Sequence, residues 1–261
     1  FMITGNTASG TFYVFNKKEQ SIPIVFVHGV GLTYEIWQPQ LDFFKDYSNL
    51  SYDILGHGKS SLTKQNISFN DFSDQLIELI NELKIEKIHL VGFSIGSLVA
   101  RNFATRYGER LRSLILLGSI YKRSEQQQKI VNERFNQAKK ELKLSRQALK
   151  RWFTDKYLEN NPGTYEKISS ILSKNNMTNF LKVYELFVKH KNDEDFKKIQ
   201  TKTLVMTGEH DIGSTIEMSQ ELKGIIENSE LKIVKGGKHL CGIECADDVN
   251  LTIKNFIDKN E

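Results

Sequence analysis

The sequence predicts an α/β protein, with a doubly wound, mostly parallel sheet and an inserted helical segment. Apolar runs of strand length alternate along the chain with stretches that carry apolar residues at helical spacing. Most of these runs are continuous, as expected when helices cover both faces of a parallel sheet. The alternation stops near residue 121 and resumes near residue 201. At 261 residues, the chain is long enough to bury a full core.

Seven apolar runs are candidate strands. They span residues 11–15, 23–27, 50–54, 88–91, 114–117, 203–206 and 231–234. Between the third and fourth runs, residues 69–83 carry apolar side chains at helical spacing. Ser68 and Asp71, at the start of this helix, resemble a capping box with aspartate in place of glutamate. Helices that alternate with buried strands place a functional site at the carboxyl ends of the strands.

Residues 121–200, which we call the insertion, are predicted to form helices only, and residues 1–120 and 201–261 to form the core. The insertion has no convincing strand and is rich in Lys, Glu and Gln. The Pro-Gly pair at 162–163 divides it, and residues 181–188 give a partly apolar helix. A further set of apolar residues falls mostly three, four or seven positions apart, which predicts one helical face. This set is Val131, Phe135, Ala138, Leu142, Leu149 and Trp152.

A candidate nucleophile follows the fourth strand. Residues 92–96 read Gly-Phe-Ser-Ile-Gly, between the apolar run 88–91 and an amphipathic stretch at 97–104. The order of strand, turn and helix is that of a nucleophile elbow, which would present Ser94 on a strained turn. Glycines two residues on either side leave room for the tight backbone. An ordinary glycine-rich turn can carry the same string, so the motif needs support from elsewhere in the chain.

Three further sequence features, a glycine turn, an aspartate and a histidine, each follow a predicted strand. Residues 25–31 form an apolar strand that runs into a glycine turn, where the N–H of Val30, with that of Ile95, could line an oxyanion hole. Asp211 closes the strand-like run at 203–206, and His239 follows the run at 231–234. Serine, acid, histidine is the chain order of α/β-hydrolases and differs from the orders of the two large serine protease folds. We therefore predict a triad of Ser94, Asp211 and His239.

With these motifs the chain resembles the α/β-hydrolase superfamily from its first strand to its last helix. Residues 53–60 are similar to the D-x-x-G-x-G-x-S turn of the esterase and lactonase branches. Residues 58–60, Gly-Lys-Ser, could also end a phosphate-binding loop, but Asp53 occupies the position where that loop needs glycine. We interpret Asp53 and His57 as structural residues of a tight turn.

Residues 37–41, 150–154 and 237–241 look most like the branch that holds 3-oxoadipate enol-lactonase and small carboxylesterases. The resemblance implies a serine hydrolase that cleaves a small carboxylic ester or lactone through an acyl-enzyme, without metal or organic cofactor. It also implies that the insertion caps the site, with Phe93 and Trp152 as candidate substrate contacts. Two alternatives stay open: hydrolysis of a C–C bond or an amide by the same triad, and a binding or signalling protein without turnover.

The amino-acid composition indicates which classes of binding partner to expect. The chain has 36 basic and 32 acidic residues and a net charge of +4, too balanced to indicate nucleic acid. No apolar run approaches the ~20 residues of a membrane helix. The N-terminus lacks the basic patch and apolar stretch of a secretory leader. We expect a cytoplasmic protein with a small-molecule substrate and no nucleic-acid or membrane partner, whereas the sequence does not indicate its oligomeric state.

Cys241 and Cys245 are the only cysteines, and both follow His239 closely. A structural zinc site with that histidine would need a fourth ligand, which the neighbouring sequence does not suggest. A disulfide is disfavoured in the cytosol. We interpret both cysteines as small apolar residues that pack the turn before the last helix.

Overall fold

The computed structural model describes residues 2–141 and 147–261, in which eight strands form a single sheet. The strands are β1 (Met2–Asn6), β2 (Phe12–Asn16), β3 (Ile24–Val27), β4 (Asn49–Tyr52), β5 (Ile88–Phe93), β6 (Leu111–Leu117), β7 (Thr203–Gly208) and β8 (Ser229–Val234). Their order across the sheet is β1-β2-β4-β3-β5-β6-β7-β8. The β1–β2 and β2–β4 pairs are antiparallel and the other pairs are parallel, which confirms the predicted mostly parallel sheet.

Eleven α-helices lie within the described ranges. They are α1 (Gln38–Phe43), α2 (Phe69–Glu82), α3 (Ile95–Arg106), α4 (Glu125–Glu141), α5 (Gln147–Trp152), α6 (Asp155–Asn160), α7 (Pro162–Ser173), α8 (Met177–Val188), α9 (Ile216–Ile225), α10 (Cys241–Glu244) and α11 (Ala246–Asp258). In the described part of the chain, no helix is both long and apolar enough to cross a bilayer. The predicted capping box opens α2, where the Ser68 N–H donates to the Asp71 carboxylate at 2.7 Å.

The two faces of the sheet bury separate halves of the core. Alternate residues of β3 point to opposite faces: Val25 packs with Phe72 of α2 and Phe103 of α3, whereas Phe26 packs with Phe256 of α11 on the other side. Because every β3 side chain is buried, the strand is apolar throughout. This double burial explains why the central strands read as continuous runs in the sequence.

The presence of strand β1 and the start of strand β6 depart from the prediction. Strand β1 was not predicted, because its residues are mostly exposed and include no continuous apolar run. It is held by antiparallel pairing with β2 alone. Strand β6 begins at Leu111, three residues earlier than predicted, since the exposed Arg112 interrupts the apolar pattern without ending the strand. In both cases the extent of the strand is set by backbone hydrogen bonding, which leaves no pattern in the side chains.

The described residues between β6 and β7 form helices α4 to α8 and no strand. The predicted single apolar face is divided: Phe135 lies on α4, whereas Leu149 and Trp152 belong to α5, and Leu142 lies outside the described residues. Helix α4 packs on α8, with the rings of Phe135 and Tyr184 5.3 Å apart. We retain residues 121–200 as the proposed extent of the insertion.

A buried arginine on α3 fastens both ends of the insertion. The Arg101 guanidinium donates to the Ile120 carbonyl at 2.7 Å and to the Ser119 hydroxyl at 3.2 Å, just before the insertion begins. It also pairs with Glu194 at 2.8 Å, in the segment that returns to β7. His190 lies 3.1 Å from the same carboxylate. The helix that follows Ser94 is thereby linked to the entry and the exit of the insertion.

Replacing Glu194 with glutamine should destabilise the protein, because Arg101 would remain buried without its counter-charge. Removing one partner of a buried ion pair costs about 3–5 kcal/mol. Burial alone would raise the pKa of the Glu194 carboxyl, but the hydrogen bond with His190 and the charge of Arg101 outweigh it and lower the pKa to about 2. A depressed carboxyl pKa stabilises the fold above its ordinary value of 4.5, and this stabilisation disappears as pH falls toward 2.

Urea unfolding of wild type and Glu194→Gln at pH 7 and at pH 4 measures both effects. The difference in the free energy of unfolding between the two proteins should be smaller at pH 4 than at pH 7. Glu185→Gln is the matched control, since Glu185 forms an exposed pair with Lys189 and its loss should cost at most about 1 kcal/mol. Equal destabilisation by the two variants would contradict the role given to the buried pair.

Candidate active site

Ser94 occupies a strained turn between β5 and α3. Its φ of 55° and ψ of −120° lie outside the regions that side chains ordinarily adopt, at a cost of about 1–3 kcal/mol. A Cβ at Gly92 would lie 2.2 Å from the Gly96 carbonyl oxygen, and one at Gly96 would lie 2.3 Å from that of Val27. Both glycines are therefore required by close backbone packing, as the elbow motif predicts.

The three residues of the predicted triad lie together at the carboxyl ends of β5, β7 and β8. The His239 Nε2 atom is 3.1 Å from the Ser94 Oγ atom, and its Nδ1 atom is 2.6 Å from Asp211 Oδ2. The other Asp211 oxygen accepts from the N–H groups of Gly213 and Ser214, both at 2.9 Å. The Asp211 side chain is 2% exposed and that of His239 is 15% exposed. The arrangement can move a proton between the serine hydroxyl and the imidazole.

The nearby Glu209 does not take part in this arrangement. Its carboxylate accepts from the N–H of Gly236 at 2.8 Å and lies 3.6 Å from the exposed ring of His210. Asp211, two residues later, is the acid whose carboxylate meets the His239 ring. Glu209 and Asp211 are thus only two residues apart after β7, but Asp211 lies in the site and Glu209 lies at the surface.

The loop after β3 passes beside the serine. A Cβ at Gly29 would lie 3.4 Å from the Ser94 Cβ. The N–H of Gly31 donates to His57, and that of Leu32 donates to the Gly29 carbonyl. By contrast, no protein group in the described ranges accepts a hydrogen bond from the N–H of Val30, nor from that of Ile95 at the start of α3. These two donors are available to a ligand next to Ser94.

Two buried histidines hold this loop in place. His57 accepts the Gly31 N–H at Nε2, at 2.8 Å, and its Nδ1 atom lies 3.1 Å from the Leu55 carbonyl. His28 accepts the Ile54 N–H at 3.0 Å. Burial lowers the pKa of His28 to about 4; burial, followed by the charge of His28, lowers that of His57 to about 3. Both rings are therefore neutral acceptors at pH 7.

Asp53 completes the turn by accepting from the backbone N–H groups of Tyr34 and Lys59, each at 2.9 Å. A Cβ at Gly58 would lie 2.2 Å from the Asp53 carboxylate, so the turn needs glycine at that position. The contacts of Asp53 and His57 are with backbone groups of the turn and the neighbouring loop. They agree with the structural interpretation made from the sequence.

Ser94 opens into a cavity of about 250 Å³ between the sheet and the helices of the insertion. Phe93 and Trp152, the two predicted substrate contacts, both line it. The Phe93 ring packs 4.8 Å from the His239 ring. The Trp152 carbonyl accepts from the Leu240 N–H at 3.0 Å, which ties α5 to the residue after the histidine. Phe153 is fully buried away from the cavity.

Sequence reasoning missed the polar residues that the insertion adds to the cavity, namely Arg123, Gln127, Arg134, Arg151 and Tyr184. From the sequence, only Trp152 of the insertion was named as a candidate substrate contact. The sequence spacing could have identified Arg134, because it falls three residues after Val131 and therefore on the same helical face. That position placed it with the apolar stripe and not on the opposite, polar face.

The cysteines behave as packing residues. Cys241 and Cys245 are free thiols, and Cys241 is buried within the core on the α11 side of the sheet. Burial raises the pKa of the Cys241 thiol well above its ordinary value and that of Cys245 to about 11. Both thiols are protonated at neutral pH, a state in which they are poor nucleophiles.

Comparison with known proteins identifies relatives across nearly the whole chain. A sequence model of the alpha/beta hydrolase fold family matches residues 22–244. The chain is 26% identical over 251 residues to the (E)-2-((N-methylformamido)methylene)succinate hydrolase of Acinetobacter baylyi, covering 95% of this chain and 94% of the relative. It is 25% identical over 222 residues to 3-oxoadipate enol-lactonase 2 of the same organism, covering 85% and 83%.

Among solved structures, the enol-lactonase from Burkholderia xenovorans superimposes with a TM-score of 0.83 at 21% identity, covering 98% of this chain and all of that one. The fold class and the resemblance to the enol-lactonase branch inferred from the sequence are thereby confirmed.

The depressed histidine pKa values predict loss of stability in mild acid. Folding holds His28 and His57 neutral down to about pH 4, whereas unfolded histidines take up protons below about 6.5. Between those values the unfolded state binds more protons, so stability falls as pH falls. Each histidine should account for roughly 2 kcal/mol between pH 7 and pH 5. In urea unfolding, the free energy of unfolding of His57→Gln should therefore fall less between pH 7 and pH 5 than that of wild type.

His210→Gln serves as the control, because it removes an exposed histidine and should keep the wild-type dependence on pH. A His57→Gln variant that loses as much stability as wild type between pH 7 and pH 5 would show that His57 is not held neutral by the fold.

Proposed function

This chain belongs to the alpha/beta hydrolase fold family, and we propose that it is a serine hydrolase that cleaves a small carboxylic ester or lactone through an acyl-enzyme intermediate. The observation that carries the proposal is the hydrogen-bonded series from Ser94 through His239 to Asp211. The similarity to 3-oxoadipate enol-lactonase 2, a protein named for a lactone, supports the ester or lactone class.

Acylation begins at the serine hydroxyl, which is too weakly acidic to attack a carbonyl unaided. His239 Nε2, 3.1 Å from the Ser94 Oγ atom, takes the proton as the new C–O bond forms. Asp211 holds the Nδ1–H tautomer and stabilises the imidazolium that results. The imidazolium then returns its proton to the departing alkoxide or enolate oxygen, and the ester bond breaks.

The carbonyl oxygen becomes an anion during this step. The free N–H groups of Val30 and Ile95 flank the serine and would donate to that oxygen. Loss of one such donor costs about 3 kcal/mol of transition-state stabilisation in comparable enzymes. Because His57 fixes the Gly31 N–H beside Val30, the donor is oriented before substrate arrives.

Deacylation uses the same groups in the reverse direction. A water molecule gives its proton to His239 and attacks the acyl carbonyl, and the serine oxygen leaves and regains the proton from the imidazolium. The released product is a carboxylic acid. In this scheme the insertion covers the site, and Phe93 and Trp152 contact the substrate.

A second candidate reaction is hydrolysis of a small amide. The Acinetobacter baylyi relative that matches 95% of this chain is named for a substrate with a formamido group. The triad would act in the same way, with the imidazolium protonating an amine in place of an alcohol. Assay of matched ester and amide pairs of one acyl group separates the two reactions.

Ser94→Ala tests the proposed nucleophile directly. The substitution removes the attacking oxygen and adds no bulk to the elbow, so the protein should fold normally and lose at least about a thousandfold in kcat/KM. Hydrolysis of short-chain esters is the assay, and labelling by an organophosphate with mass spectrometry locates the acylated residue. Retention of more than a few per cent of activity, or labelling of the variant, would exclude Ser94 as the nucleophile.

Asp211→Asn should retain the fold and lower kcat by about 10²–10⁴-fold, because the amide no longer favours the required histidine tautomer. The control is Glu209→Gln, a change to the exposed acid two residues earlier, which should leave kcat within about twofold of wild type. Steady-state kinetics of both variants on one ester decide between the two acids. A silent Asp211→Asn with an inactive Glu209→Gln would reverse the assignment.

A further inference from the structure

Three arginines line the cavity that contains Ser94. All come from the insertion: Arg123 precedes α4, Arg134 lies on α4 and Arg151 on α5. Asp211 is the single acid among the described lining residues, and both of its oxygens are already engaged by His239 and by backbone N–H groups. The cavity therefore carries an excess of positive charge beside walls that are largely apolar.

Arg123 differs from the other two in its partners. Its guanidinium donates to the carbonyls of Phe187 and Val188 at the end of α8, with a shortest distance of 3.1 Å. It also stacks over the Phe187 ring at 4.7 Å. These contacts hold Arg123 in the wall of the cavity.

Arg134 and Arg151 lack such partners. Neither side chain forms an ion pair or a hydrogen bond with a protein group in the parts of the chain that the structure describes. Both side chains are half-buried. Both guanidinium groups line the same cavity, and burial, followed by the charge of Arg134, lowers the pKa of Arg151.

Tyr184 lies within the field of these cations. Burial raises the pKa of its hydroxyl, and the charges of Arg151, Arg134 and Arg123 oppose that rise. Partly desolvated charges without a counter-charge are costly. An anion that enters the cavity would offset this cost, whereas a neutral ligand would not.

We propose that Arg134 and Arg151 bind a carboxylate on the substrate, so that the preferred ester or lactone is an anion. The inference rests on the proposed hydrolase function and adds to it the chemical class of the substrate. A guanidinium presents two parallel N–H donors that match the two oxygens of a carboxylate. A cavity of about 250 Å³ suits a short acyl chain that ends in such a group.

The test compares monoethyl glutarate with ethyl valerate, two ethyl esters with similar acyl chains, of which only the first carries a terminal carboxylate. Acid release in a pH-stat gives kcat/KM for each. Wild type should prefer monoethyl glutarate by at least about tenfold, as expected when a charged hydrogen bond holds the carboxylate. Arg134→Met and Arg151→Met should each reduce that preference by about tenfold or more, mainly through KM.

Lys150→Met is the matched control, because Lys150 precedes Arg151 on α5, is exposed and does not line the cavity. This variant removes the same charge and should keep the wild-type preference. A wild-type enzyme that hydrolyses both esters equally well, or a Lys150→Met variant that loses as much preference as Arg151→Met, would overturn the carboxylate site while leaving the serine hydrolase proposal intact.

Binding gives a readout that does not depend on turnover. Calorimetric titration of Ser94→Ala protein with glutarate should show binding that weakens by at least about tenfold when Arg151→Met is added, and no comparable binding of the neutral glutaramide. Glutarate binding that depends on Arg151, together with a wild-type protein that hydrolyses no ester, would support the anion site and refute the proposed reaction. Equal binding with and without Arg151 would overturn the site.

Discussion

The close approach of three backbone segments around Ser94 is the constraint on which the site depends. The carbonyls of Val27 and Gly96 lie where side chains at the elbow glycines would otherwise project, so β3, β5 and α3 can meet only if positions 92 and 96 carry no Cβ. This packing holds Ser94 at a positive φ that an isolated turn would not maintain. The energy of the surrounding core is what sustains the strain.

Hydrogen bonds fix the segments that surround this packed turn. His57 and Asp53 fix the loop that carries Val30, and both act on backbone groups. On the opposite side, Arg101 joins α3 to the two ends of the insertion. The groups nearest to the serine are thus positioned by neutral histidines and backbone contacts, and the buried ion pair lies farther away.

The cavity has two walls of different chemistry. The sheet side carries the groups that we propose exchange protons or donate to an oxyanion, whereas the insertion supplies Trp152 and the arginines. Under the proposed function, this division would separate bond cleavage from the selection of substrate, because a change on α4 or α5 leaves the elbow untouched.

The sequence by itself determined the parallel sheet, the elbow and the chain order of serine, acid and histidine, because these depend on local patterns: continuous apolar runs, paired glycines and strand-end positions. Tertiary structure decided the rest. Only the fold shows that Asp211 faces His239 while Glu209 faces solvent, and only backbone pairing reveals β1. Helical spacing predicted a shared face for Val131 and Phe135 but not that Arg134 beside them would face the cavity. Periodicity tells which residues lie on one side of a helix, whereas the surface against which that side packs is set by contacts between segments far apart in the chain.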